Sequence, residues 1–175
     1  MENHMHTPPT NADLATGLRA ASAGTYAAEA AVELLIRHEV WLAEPAFVDE
    51  CLEPDDAGEF IGISWARVAQ HVNRVDAQPS DRAIALIAAQ LGGYPDPGEL
   101  PVDVAAMPPL AWLLASLERK DVDLVLASIS HAAGTHDHVE HVMEPGESGE
   151  WRVTPTSPRL RPGPLYPWPE ALLSE

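Results

Sequence analysis

The stretch Asp121-Val-Asp-Leu-Val-Leu-Ala-Ser-Ile-Ser-His-Ala-Ala-Gly134 reads either as a buried strand or as a helix, and the fold class turns on that choice. Residues 122–129 are β-branched enough for a strand. Three features favour a helix. Asp121 is a good N-cap, Gly134 stands where helices commonly end, and the run is longer than an ordinary strand. Val122, Val125, Leu126 and Ile129 are then expected to point inward.

Working outward from this segment, the helical period recurs. Leu110, Leu113, Leu114 and Leu117 form a stripe after Pro109, and Ile84, Ile87, Ala88 and Leu91 form another between Ser80, a candidate cap, and Gly92-Gly93. Trp65, Val68, Ala69, Val72 and Val75 follow Ser64 at i, i+3, i+4, i+7 and i+10, the clearest amphipathic pattern in the chain. Thr25 is a candidate cap for a helix over 26–43, and Pro45 opens a short one carrying Phe47, Val48, Cys51 and Leu52. The expected fold is all-α, a compact bundle of five to six helices over 14–134. Trp65, Val68, Val72, Ile84, Ile87, Leu113, Leu114, Val125 and Ile129 are expected in its core. Residues 1–13 read as a mobile leader. Residues 135–175 read as a histidine-containing connector and a proline-rich tail, with seven of the 17 prolines between 145 and 175. A small hairpin is expected near 139–153.

Composition removes several functions. Against 27 acids stand 10 bases, of which Lys120 is the one lysine, and the net charge is −17. Direct binding to nucleic-acid phosphates or to an anionic membrane surface needs clustered cations that the chain lacks. Acids interrupt every apolar run, so no membrane span is expected. The N-terminal residues show no basic region followed by an apolar one, so no secretory signal is expected. With one cysteine, Cys51, neither a disulfide framework nor a cysteine-based zinc site can form within the chain. The expected setting is cytoplasmic.

Two strings resemble catalytic motifs. Thr135-His136-Asp137-His138-Val139-Glu140-His141 is similar to the His-x-His-x-Asp-His signature of the metallo-β-lactamase superfamily, with Glu140 in place of Asp. That family needs further ligands downstream, and no histidine follows His141. What survives is a candidate metal site: His136, His138 and His141, with His131 upstream, for zinc or another divalent cation. Phe60-Ile61-Gly62-Ile63-Ser64-Trp65-Ala66 looks like the nucleophile elbow of α/β-hydrolases, with Ala66 replacing the last glycine. An all-α chain has no parallel sheet to hold a triad, and Ser64 reads more simply as a helix cap. Acids flank Cys51, which suppresses its thiolate. No catalytic residue is assigned, and enzymatic activity is not expected.

The most unusual feature is acidic: Asp49, Glu50, Glu53, Asp55, Asp56 and Glu59 fall within eleven residues that contain no base. Such a segment suits docking on a basic partner protein. Trp151, Tyr166 and Trp168, in or beside the proline-rich tail, are candidate anchors for a partner.

The run Ala28-Glu-Ala-Ala-Val-Glu-Leu-Leu-Ile-Arg-His-Glu-Val-Trp-Leu, the block 83–93 and the segment 121–134 together resemble small helical proteins of high-GC actinobacteria. The resemblance covers about residues 25–134. It implies a helical fold in a bacterial cytoplasm and no activity. The sequence thus points first to a non-enzymatic acidic interaction or assembly protein that docks a partner protein. Its alternatives are a metal-binding module on the histidine tract and an acidic DNA mimic that inhibits a nucleic-acid-binding protein. Homo-oligomerisation stays open.

Overall fold

A computed structural model describes residues 10–54, 60–93, 107–141, 143–146, 148–154 and 161–170. Seven α-helices and two small antiparallel strand pairs account for the regular structure among them. The helices are α1 (Asn11–Ser22), α2 (Tyr26–His38), α3 (Pro45–Cys51), α4 (Trp65–Arg74), α5 (Pro79–Leu91), α6 (Leu110–Ala115) and α7 (Arg119–Ala132). The strands are β1 (Leu52–Pro54), β2 (Phe60–Ile63), β3 (Met143–Pro145) and β4 (Trp151–Val153). No described helix is long and apolar enough to cross a membrane.

The mainly helical reading holds, and 119–132 is a helix. Helix α2 lies at the centre, packed on α1, α5 and α7, while α4 packs between α3 and α5. Ala30, Ala31, Leu34 and Leu35 of α2 and Ala83–Ala89 of α5 are all buried. Small alanines on both helices allow their close approach. Arg82 on α5 donates to the carbonyls of Val72 and Val75, satisfying the last turn of α4 from outside. The far end of α5 closes just as tightly, since a Cβ on Gly92 would lie 2.2 Å from the Trp65 indole.

Several expectations need correction. Helix α1 was not among the expected helices, and it begins at Asn11, inside the segment 1–13 read as a mobile leader. There Thr10 and Asp13 form a capping box, each side chain taking the other's backbone N–H. Helix α2 stops at His38 instead of running to 43. Glu39 turns left-handed at φ 65°, and a 3-10 turn (Trp41–Ala43) drops Trp41 into the core. β1 and β2 pair antiparallel, with Leu52 opposite Ile63, where the sequence suggested no strands. The hairpin near 139–153 forms as Met143–Pro145 against Trp151–Val153.

Ser80 and Asp121 were each expected to cap their own helix. Instead they meet. Ser80 Oγ donates to Asp121 Oδ2 at 2.5 Å and accepts from the Glu118 amide, so a residue of α5 caps the start of α7. Of the nine residues expected in the core, Trp65 is half-buried, and Leu114 and Ile129 are exposed. Val122 and Leu126, expected inward, are exposed too.

Near the same junction, buried His38 places Nε2 3.2 Å from Asp81 Oδ1 in an orientation that completes no hydrogen bond. Burial lowers its pKa despite the nearby charges of Asp121 and Asp81. The unfolded chain therefore binds a proton that the folded chain resists. His38 should contribute its full stability above its unfolded pKa of about 6.5 and lose it as pH falls through the lower folded value. Denaturant unfolding at pH 7.5 and pH 5.5 checks this. The loss of stability on acidification should be smaller in His38→Gln than in the wild-type chain; an equal loss assigns it to other groups.

Candidate functional site

Helix α2 begins on the Tyr26 turn, and Tyr26 and Glu29, three residues apart, face the same neighbour. That neighbour is the C-terminal end of α7. His131 lies in its last turn, and Gly134, at φ +69°, reverses the chain into a short 3-10 turn, Thr135–Asp137. The reversal stacks the His136 ring on that of His131, with centroids 4.2 Å apart and planes 13° from parallel. Tyr26 presents its ring to both imidazoles nearly at right angles. Its hydroxyl donates to Asp137 Oδ2 at 2.8 Å. Any side chain at Gly134 would meet the Tyr26 ring at 2.9 Å, so this turn needs glycine both for its φ and for that approach.

Glu29 completes the group. Its Oε2 lies 2.9 Å from His131 Nε2, and its Oε1 accepts from the Gly24 amide at 2.7 Å. The His131 bond, and then the Gly24 bond, hold the Glu29 carboxyl below its ordinary pKa. One ligand atom from each of Glu29, His131 and His136 lies within 4.8 Å of the other two. Among the described residues no other three His, Cys, Asp or Glu side chains meet in this way. His136 Nδ1 is buried without a hydrogen-bond partner.

The tail passes beside this group. Segment 161–170 has no helix or strand, as its prolines dictate, yet it is bonded to the helical body along its length. The amide of Leu165 donates to Thr135 Oγ1 and that of Tyr166 to Ser130 Oγ. The Tyr166 hydroxyl donates to Asp123, which raises the phenol pKa. Trp168 stands 6.1 Å from the His131 ring, with the Arg37 guanidinium 5.2 Å from its own centroid. Arg37 also donates to the carbonyl of Pro169 and, with Arg19, to Glu33. Burial pushes the Glu33 carboxyl up, but the two guanidinium bonds outweigh it and leave its pKa lowered. A cavity of about 230 Å³ opens between Arg19, Glu29, Glu33, His131 and Trp168.

The structure thus brings one member of the expected metal trio, His136, together with His131 and Glu29. His138 and His141 are exposed and lie outside the group. Of the two acids in the same string, Asp137 holds Tyr26, and Glu140 is exposed. Trp168 is half-buried against this chain's own helices, Tyr166 is partly exposed, and Trp151 stands on β4 largely in solvent.

Of the acidic segment, Asp49, Glu50 and Glu53 are exposed, while Asp55, Asp56 and Glu59 lie outside the described residues. Glu50 is bonded to Arg74 and to buried His71, which packs among the Trp41 and Phe47 rings. Those bonds, His71 first, lower the Glu50 pKa. Beside it, burial and the Glu50 charge push the Cys51 thiol up to about 12, which leaves no thiolate for nucleophilic chemistry. The serine of the elbow-like string, Ser64, stands at the N-cap position of α4 without the side-chain cap bond expected of it, and the preceding strand pairs only with β1 among the described residues.

Sequence reading missed Glu29 and Tyr26, which lie in α2 more than 100 residues from their partners. Their only signal was a polar pair, three residues apart, beside the apolar stripe of a helix. Comparison with protein-family models, with curated proteins and with solved structures finds no match.

Removing the indole that seats the tail tests its attachment. Trp168→Ala should lower stability by about 1–3 kcal/mol, combining lost packing and the lost cation–π contact. It should also raise protease cleavage between 161 and 170, read by mass spectrometry under native conditions. Unchanged cleavage would mean that Trp168 does not hold the segment.

Proposed function

We propose that this is a non-enzymatic interaction protein whose third face of α7 docks a basic, amphipathic helical segment of a different protein. One observation carries the reading: Val122, Leu126 and Ile129 form a row along α7 and are 38%, 39% and 41% exposed. The helix has three sides. Asp121, Val125 and Ser128 face the core. Asp123, Ala127 and Ser130 share a side that Tyr166 bonds at both ends. The remaining side holds the row, extended by exposed Ala133. Apolar side chains repeating at helical spacing without cover are characteristic of a surface completed by another chain.

Charge and area select the partner. A second copy would bring another −17 against this surface. A row of four side chains is also small beside the ~1,600 Å² that a stable protein interface usually buries. A basic segment instead gains from the acidic field, which accelerates encounter more than it deepens affinity. Exposed Asp49 and Glu53 contribute to that field. Mimicry of DNA fits less well, because Glu29, Glu33, Glu50, Asp123 and Asp137 are tied to neighbouring side chains instead of standing in free rows.

A photo-crosslinking residue at position 126, with a control at exposed Thr16, tests this in the native host. Position 126 should give one adduct with a protein other than itself. The association rate of that purified partner should fall as salt rises from about 0.05 to 0.5 M, and Leu126→Asp should abolish the complex. An adduct with a second copy of the chain, or none beyond the control, would overturn the proposal.

A further inference from the structure

We infer that Glu29, His131 and His136 form a binding site for a first-row divalent cation of the zinc class, with a coordination position left open beside the Arg19–Trp168 cavity. The site uses a different side of α7 from the docking row and does not depend on it.

The donor set is two imidazoles and one carboxylate. Such a set suits zinc and its first-row neighbours, whereas calcium and magnesium prefer six or more oxygens. The three ligand atoms lie within 4.8 Å of one another. A tetrahedral ion with bonds of ~2.0–2.1 Å needs its donors about 3.3 Å apart, so the widest pair must close by about 1.5 Å. The two imidazoles are stacked with planes 13° from parallel, so binding must also turn at least one ring out of the stack, because an imidazole nitrogen binds a metal along its ring plane.

The surroundings set this group apart from a chance surface encounter of histidines. Two helices and a glycine-dependent turn fix its three members, and Tyr26 braces both rings edge-on. Glu29 is oriented from behind, because its Oε1 is already occupied by the Gly24 amide while Oε2 points at His131. A ligand held by a second hydrogen bond is the usual arrangement at metal centres. His136 Nδ1 is buried with no partner, and coordination through that nitrogen would provide one. In the metal-free chain the His131–Glu29 bond takes the place of the two ligand bonds that the ion would make.

Three protein ligands leave a fourth tetrahedral position for water or a small anion. Glu29 and His131 line the cavity of about 230 Å³ that also contains Arg19 and Trp168. Arg19 is already paired there with Glu33, which also lines the cavity, so the ion alone would attract an anion.

Calorimetric titration of the chelator-treated full chain with zinc chloride tests the site, alongside the visible spectrum of the cobalt(II) form. One equivalent should bind with a Kd of about 1 µM or tighter and raise the melting temperature. The cobalt form should show the intense absorption of a tetrahedral ion. His131→Ala, His136→Ala and Glu29→Gln should each weaken binding about 100-fold or more, whereas His4→Ala/His6→Ala and His138→Ala/His141→Ala should leave it within about twofold. If a histidine variant fails to fold, Glu29→Gln and the wild-type cobalt spectrum decide. Binding weaker than about 100 µM, a weak octahedral cobalt spectrum, or loss of binding in His138→Ala/His141→Ala would overturn the assignment.

Discussion

Ser80 and Asp121 meet inside the protein through a 2.5 Å hydrogen bond, and the course of α7 follows from it. A helix start leaves backbone N–H groups without partners, and a local capping box would normally satisfy one with the carboxylate at the third position. Here Asp121 holds that position, but Ser80 stands between it and the Glu118 amide and bonds to both. The cap of α7 is therefore completed by α5. Both side chains are buried, and a buried carboxyl without a partner would be costly, so the junction tolerates little displacement.

Because its start is pinned on α5, α7 crosses α2 in one rotational setting. That setting aims His131, ten residues beyond Asp121, at Glu29, and turns Asp123 and Ser130 toward the tail. Val122, Leu126 and Ile129 are left partly exposed on the remaining side. The proposed metal site and the proposed docking row are thus opposite consequences of a single helix orientation. The tail adds to this by covering the second side. Its prolines rule out regular structure, but side-chain hydroxyls on α7 and the following turn accept its amides, and Arg37 clamps Trp168.

Helices α2 to α7 were legible because their apolar residues recur with a 3.6 period, and each stripe marked a real helix, whereas α1 was not read as one. What periodicity does not carry is how many sides of a helix are covered. Val122, Leu126 and Ile129 read as core because apolar residues usually are, yet α7 is apolar on more than one side and only Val125 among the four is buried. The caps failed for a related reason. Ser80 and Asp121 have the chemistry of caps, but nothing local reveals that each prefers the other, 41 residues away. Half of the candidate site was legible, since a histidine-rich turn after Gly134 advertised metal chemistry. The choice among its histidines was not. Spacing alone could not tell that stacking on His131 would recruit His136 and leave His138 and His141 in solvent. The short β1–β2 pair escaped notice because three or four residues are too few to show a period of two.

The most direct measurement of this account is a double-mutant cycle on Ser80→Ala and Asp121→Asn, with stability read from denaturant unfolding. If the bond between these side chains positions α7, the two substitutions must be strongly non-additive, with a coupling energy of about 1–3 kcal/mol. Hydrogen exchange in the first turn of α7 should accelerate in either single variant. A coupling near zero, with exchange at 119–122 unchanged, would contradict the dependence of the helix on this contact.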